Sequence, residues 1–255
     1  SIITVLNGQL GAHQSFAVDA QNQLNACRCS AVISSNQPLQ AVVRIEQTDT
    51  SGSALGIYRG VSSGRTMLFY APFHAVDSGA QTELGVMNAS TNDTSFTLDF
   101  FNFDGTSAGT HVTNNAKPGQ TLWRDLSALG DDVALTNGIG YVRITAPQPM
   151  VAVAVHTNLD DGFIVDDNFA RTGATDILMP RVNNSSTRGS HLYFANIAES
   201  AVSVQTRLRH PSGANVTIES PIQPNAVAPI AVSALPEMAG QPSLYSAIAS
   251  SMAPT

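Results

Sequence analysis

The stretch Gly140–Asn158, GYVRITAPQPMVAVAVHTN, decides the fold. Tyr141, Arg143 and Thr145 alternate with Val142, Ile144 and Ala146. After Pro147-Gln148-Pro149, Val151, Val153 and Val155 share one face, and Met150, Ala152, Ala154 and His156 share the other. Period-two apolar patterning bounded by proline predicts two half-buried strands joined at a tight corner. The same pair occurs as Ser30–Ile45, SAVISSNQPLQAVVRI, and begins again at Ser246, SAIASSMAPT. Pro38, Pro149 and Pro254 correspond. The third copy reaches Thr255 without a closing strand, and the functional reading turns on that strand.

Working outward, internal repetition sets the organisation. The middle copy, residues 67–160, reads as seven short strands: Ala71–Val76, Thr82–Asn88, Ser95–Phe103, Thr110–Thr113, Thr121–Leu126, Gly140–Ala146 and Met150–Asn158. Asp104-Gly105 is a tight hairpin signal between the third and fourth. The last copy, residues 176–255, follows at an offset of 108: Pro180 answers Pro72, Asn196 answers Asn88, and Ser212-Gly213 answers Asp104-Gly105. Val232-Ser233-Ala234-Leu235 answers Leu126-Ser127-Ala128-Leu129 at 106, a drift expected of a loop deletion. The first copy, residues 1–60, holds only later strands. Its Gly11–Val18 matches Gly119–Leu126, and Val18-Asp19-Ala20 stands where Leu126-Ser127-Ala128 stands. These three short segments predict single helical turns, and no segment keeps a 3.6-residue period. The Gly- and Asp-rich stretches Thr48–Arg65 and Asp160–Asp176 read as linkers or long loops. The predicted class is all-β: antiparallel sandwich modules in tandem, one complete and two partial.

His74–Gly109, HAVDSGAQTELGVMNASTNDTSFTLDFFNFDGTSAG, followed by a Pro-Gly and by GYVRITAPQPMVAVAV, resembles secreted bacterial surface proteins built of tandem immunoglobulin-like β-sandwich modules. The resemblance covers the middle and last copies and the second half of the first. It implies stalks, adhesins or filament subunits at the cell surface or outside the cell. It implies no chemistry and no catalytic residue.

Composition excludes several partners. The net charge of −7 with one lysine, Lys117, against eleven arginines argues against nucleic acid, which needs clustered cations. It argues equally against an anionic membrane surface. No apolar run approaches the length needed to span a bilayer. Charged residues are 12%, about half the usual share. Cys27 and Cys29 form either a reduced packed pair or a disulfide, strained if they join each other. Two ligands alone do not make a zinc site.

A sandwich without its last strand exposes unpaired backbone groups above an open core. Buried donors and acceptors must be paired, and an open edge is a template for another chain. The N-terminal Ser1–Leu6, with Ile2, Ile3, Val5 and Leu6, is apolar and β-branched, as a donor strand must be. The acceptor module ends in Tyr245, Ala247, Ile248 and Ala249. The predicted role is therefore a subunit of a homopolymer joined head to tail by strand complementation. The alternatives are completion within one molecule, with Gln40–Ile45 closing the last copy, or chain ends that fall inside modules. A binding function, as an adhesin or carbohydrate-binding stalk with a glycan ligand, is the second class.

Other motifs carry less. Gly60-Val61-Ser62-Ser63-Gly64 fits G-x-S-x-G but lacks the strand-before, helix-after context of a nucleophile elbow. Asp160, Asp161, Asp166 and Asp167 suit a solvated turn, with structural calcium as the sharper reading and no other cofactor expected. His74 and His156 fall near strand ends without a metal-ligand spacing. Trp123, the single tryptophan, matches Ser15 and Pro229 in the other copies, which suits an exposed position. Asn88, Asn92, Asn183, Asn184 and Asn215 head N-x-S/T sequons.

Overall fold

The computed structural model describes residues 30–49, 52–74, 80–129, 133–158, 163–168, 174–185, 189–241 and 244–252, with isolated positions between Asn7 and Asp19. The chain is all-β there, with only short 3-10 turns between strands. The order opens with β1 (Val42–Asp49) and β2 (Gly52–Arg59). A first unit follows: β3 (Arg65–His74), β4 (Ala80–Asn88), β5 (Thr94–Phe101), β6 (Ser107–Ala116), β7 (Thr121–Asp125), β8 (Ile139–Asn158) and β9 (Phe163–Asn168). A second comprises β10 (Asp176–Asn183), β11 (His191–Ala195), β12 (Val202–Arg209), β13 (Asn215–Ile222), β14 (Val227–Ala231) and β15 (Leu244–Met252). These are called the middle and last units.

The proline corner is a bulge inside one strand, not a gap between two. β8 runs unbroken for 20 residues. Its partner register jumps from Arg65 opposite Met150 to Met67 opposite Thr145, so Ala146–Pro149 bulge opposite Thr66. Prolines lack the N–H that a ladder requires, so the bulge falls on them. The bend carries β8 between layers. Its first half lies between β3 and β5, and its second half lies between β4 and β9. One layer is then β6-β5-β8-β3 and the other β7-β4-β8-β9. Leu84, Phe96, Phe100, Val142, Ile144, Met150 and Ala154 are buried between them. Of the two faces of Met150–Val155, the one with small residues meets the core.

The last unit repeats this order. β13-β12-β15-β10 forms one layer and β11-β14 the other. Its core holds Val182, Phe194, Leu208, Ile230, Tyr245, Ala247 and Ala249. Pro72 and Pro180 each fall in a bulge, between Tyr70 and Phe73 and between Met179 and Val182. The turns at Gly105 and Gly213 share a left-handed φ of 88° and 97°. Leu126–Ala128 and Val232–Ala234 are both single 3-10 turns.

Three expectations are corrected. The presumed linkers contain strands: β2 lies within 48–65 and β9 within 160–176. Backbone pairing, not apolar patterning, forms them: β9 pairs with β8 and β2 with β1. Gln40–Ile45 does not close the last unit of its own chain: β1 pairs with β2, and no strand of the last unit pairs with it among the described residues.

The two units touch through outer faces. Phe69, Phe101 and Tyr141 of the middle unit enclose Val227 of the last, with Phe103, Tyr193 and Ile197 around them. Val227 N donates to Phe103 O at 2.8 Å. The Phe103 and Tyr193 rings meet edge-on, 6.0 Å between centroids.

Candidate functional site

The units differ at one edge. In the middle unit β4 has β7 on one side and β8 on the other, with Ala80–Asn88 opposite Met150–Asn158 throughout. In the last unit β11 has β14 on one side, and no strand pairs its other edge among the described residues.

The hydrogen-bond alternation says which groups that leaves unpaired. Asn196 N donates to Ala226 O at 2.9 Å and Val232 N to Ser190 O at 3.0 Å. Antiparallel neighbours bond at every second residue, so Leu192 and Phe194 turn their backbone groups to β14. His191, Tyr193 and Ala195 turn theirs to the open edge. In the middle unit the equivalent residues, 108 positions earlier, are Glu83, Gly85 and Met87, opposite Val155, Val153 and Val151 of β8. The side chains follow suit. Leu84 is fully buried beneath β8, whereas its counterpart Leu192 is half-buried. Phe194 takes the place of the smaller Val86 and stays buried in the core of the last unit.

The acceptor residues expected from sequence sit elsewhere. Tyr245, Ala247, Ile248 and Ala249 lie in β15, between β10 and β12, so no strand can join there. Three are buried and Ile248 is half-buried. The residues His191, Tyr193 and Ala195 at the unpaired edge are not singled out by the sequence reading. The signal that finds them is the 108-residue offset applied to the partners of Val151, Val153 and Val155. The donor residues Ile2, Ile3, Val5 and Leu6 lie outside the described residues, as do Cys27, Cys29, Asp160 and Asp161.

No chemistry gathers elsewhere among the described residues. Asp166 and Asp167 stand in β9 opposite Val155 and Ala154, not in a loop. No group of three or more His, Cys, Asp or Glu there is placed to hold a metal. Ser62 occupies an exposed bend before β3, without the helix an elbow requires. His156 Nδ1 lies 3.2 Å from the hydroxyl of buried Thr82. Trp123 is half-buried, its ring lying over Gly85, so it is no open stacking platform. A shallow hollow of about 480 Å³ beside the β8 bulge is lined by polar residues such as Asp93, Ser95, Asn114 and Gln148, with no aromatic. The Asn88 sequon is structural: Asn88 is fully buried and its Nδ2 is bonded to Asn92 O and Ala116 O. Asn92 and Asn215 are exposed.

No protein-family model matches the chain, and no curated protein does. Among solved structures, the crystal structure of Thermotoga maritima 1070 is similar at 13% identity, covering 43% of this chain and 96% of that one, with a TM-score of 0.36. That likeness is too slight to bear on fold or function.

Proposed function

We propose that the chain is a structural subunit of an extracellular filament or surface assembly, joined head to tail by β-strand complementation at the last unit. Its units are read as immunoglobulin-like sandwich modules. The pairing of second with fifth strand, β4 with β7, and of third with sixth, β5 with β8, supports that reading. The outer strands differ from the immunoglobulin order. β3 flanks the sixth strand and the second half of β8 flanks the second, the reverse of the usual places.

The open edge of β11 is the single observation that carries the functional reading. Three residues there present N–H and C=O groups in a row, beside a half-buried leucine. An added strand would pair the backbone and cover Leu192, as β8 covers Leu84. Because the edge and its donor are different surfaces, such contacts are heterologous and propagate unless the rotation closes a ring.

The test is molar mass by light scattering over a concentration series, for the chain and for Ala195→Pro. The Ala195 N–H faces the open edge and not β14, so proline removes an edge donor and spares the existing ladder. Association that grows with concentration and is lost in the variant is expected. A chain that stays monomeric throughout overturns the reading.

A further inference from the structure

We propose that the open edge of β11 receives the β1–β2 hairpin of a second copy of this chain, with Val42 opposite Tyr193. This rests on the strand-complementation reading and names the strand that performs it.

Gln37-Pro38-Leu39-Gln40-Ala41-Val42-Val43-Arg44 stands against Gln148-Pro149-Met150-Val151-Ala152-Val153-Ala154-Val155 at an offset of 111. Each segment then folds back as a hairpin, β1 onto β2 and β8 onto β9. The β1–β2 hairpin is thus the counterpart of the element that closes the middle unit, and no described strand stands at that place in the last unit.

Exposure distinguishes the two copies. Met150 and Ala154 are fully buried against their core. Their counterparts Leu39 and Val43 are 43% and 37% exposed, and Val42 is 64% exposed. Val32 and Ile33 just upstream are exposed as well. A β-branched segment patterned for a core lies on the surface, and such strips mark interaction sites.

The hydrogen-bond parity also agrees. Gly60 N donates to Ala41 O at 2.9 Å, and Val43 stands opposite Tyr58. By alternation Val42 then turns its N–H and C=O away from β2. No strand pairs that edge of β1 among the described residues. Val153, its counterpart, presents the same groups to Gly85 of β4. Gly85 is matched by Tyr193, whose own groups face the open edge of β11. The antiparallel register then sets Gln40 against Ala195, Ala41 against Phe194 and Val43 against Leu192. Small Ala41 meets the bulkier Phe194, as Ala152 meets Val86 in the middle unit. Val43 covers the half-buried Leu192.

Cross-linking between separately made chains tests the register. In a background of Cys27→Ser and Cys29→Ser, one chain carries Gln40→Cys and the other Ala195→Cys. Opposed residues of an antiparallel pair lie within disulfide reach, about 5.5 Å between Cα atoms. Mild oxidation of the mixture should give a disulfide-linked heterodimer as the dominant product. A second mixture replaces Gln40→Cys with Ile3→Cys, which samples the N-terminal segment as donor. Linkage through position 3 in place of position 40 overturns the hairpin as donor and leaves strand addition standing. Linkage through neither position also overturns it, and the light-scattering series separately decides whether the chain assembles. Val42→Pro gives an independent check, since it deletes an outward N–H without touching the β1–β2 ladder. Association undiminished in that variant counts against the proposal.

Discussion

Asn88 donates from Nδ2 to the carbonyl oxygen of Ala116 at 2.9 Å, inside the core and across 28 residues of chain. The same nitrogen reaches Asn92 O at 2.7 Å, while Oδ1 accepts from Ser90 N and Ser90 Oγ. One amide thus ties the end of β4 to the loop that follows it and to the end of β6. Asn196 makes the equivalent set: Nδ2 to Ser200 O and Ile222 O, and Oδ1 from Ala198 N. An amide is needed because the site asks for two donors and one acceptor on a single short side chain.

Asn88→Ala should therefore destabilise the middle unit by about 3 kcal/mol, since it strands buried carbonyls. Asn88→Asp should cost at least as much at neutral pH, because a carboxylate only accepts and would face two acceptors. Chemical denaturation read by circular dichroism measures both. A loss well under 1 kcal/mol for Asn88→Ala would mean that the clip does not stabilise the unit.

A pair of glycines separates backbone strain from contact between units. Gly105 and Gly213 occupy the same hairpin position with φ of 88° and 97°. A Cβ on Gly213 meets nothing within 4 Å, whereas one on Gly105 lands 2.4 Å from Pro224 O of the last unit. Both alanine variants pay for the left-handed backbone, about 1 kcal/mol. Gly105→Ala alone must also push the units apart. Its unfolding midpoint should fall clearly below that of Gly213→Ala, and equal midpoints would show that the units do not pack at this turn.

Local signals were legible in the sequence and long-range ones were not. Pro72, Pro180, the two hairpin glycines, the matched asparagines and the helical turns at Leu126 and Val232 stand where the repeat offset puts them, while Val18 and Asp19 of the third expected turn are not helical. Each is decided within a few residues by φ limits or by a short hydrogen-bond loop. The unbroken course of β8 was missed because proline reads as punctuation, while a bulge opposite Thr66 accommodates it. The unpaired edge is illegible for a related reason. Counting strands points to the chain's last strand, β15, which has a neighbour on each side, whereas β11 has one neighbour among the described residues. The contact between units was hidden as well, since alternation assigns Phe69, Phe101 and Tyr141 to the outward face that sequence alone leaves to solvent.

Gly85 gives a spectroscopic prediction. It is buried in β4, and a Cβ there would come 2.9 Å from two ring atoms of Trp123 on neighbouring β7. Glycine is required because the indole lies across the backbone. Gly85→Ala should lift the ring towards water, and as Trp123 is the single tryptophan, its fluorescence should shift to the red without interference. An unshifted emission maximum would mean that the ring does not rest on Gly85.

Tyr141 gives a prediction in pH. It is buried between the units, stacked on Phe69 at 6.2 Å and tilted against Phe101 at 5.4 Å, and its hydroxyl has no hydrogen-bond partner. Burial, chiefly, pushes its pKa well above the ordinary value near 10; the Arg143 charge opposes the shift and Asp99 adds to it. The folded chain therefore holds the phenol proton more tightly than the unfolded chain does. This contribution to stability is fully present below about pH 10 and is lost as pH rises beyond it. Tyr141→Phe removes both the unpaired hydroxyl and the ionisation. The variant should be more stable by about 1 kcal/mol at neutral pH, and its advantage should widen in alkali. Urea midpoints of the two proteins from neutral pH to about pH 11 provide the measurement. Parallel curves, with a constant gap across that range, would place Tyr141 in contact with water and the interface between the units somewhere other than at its ring.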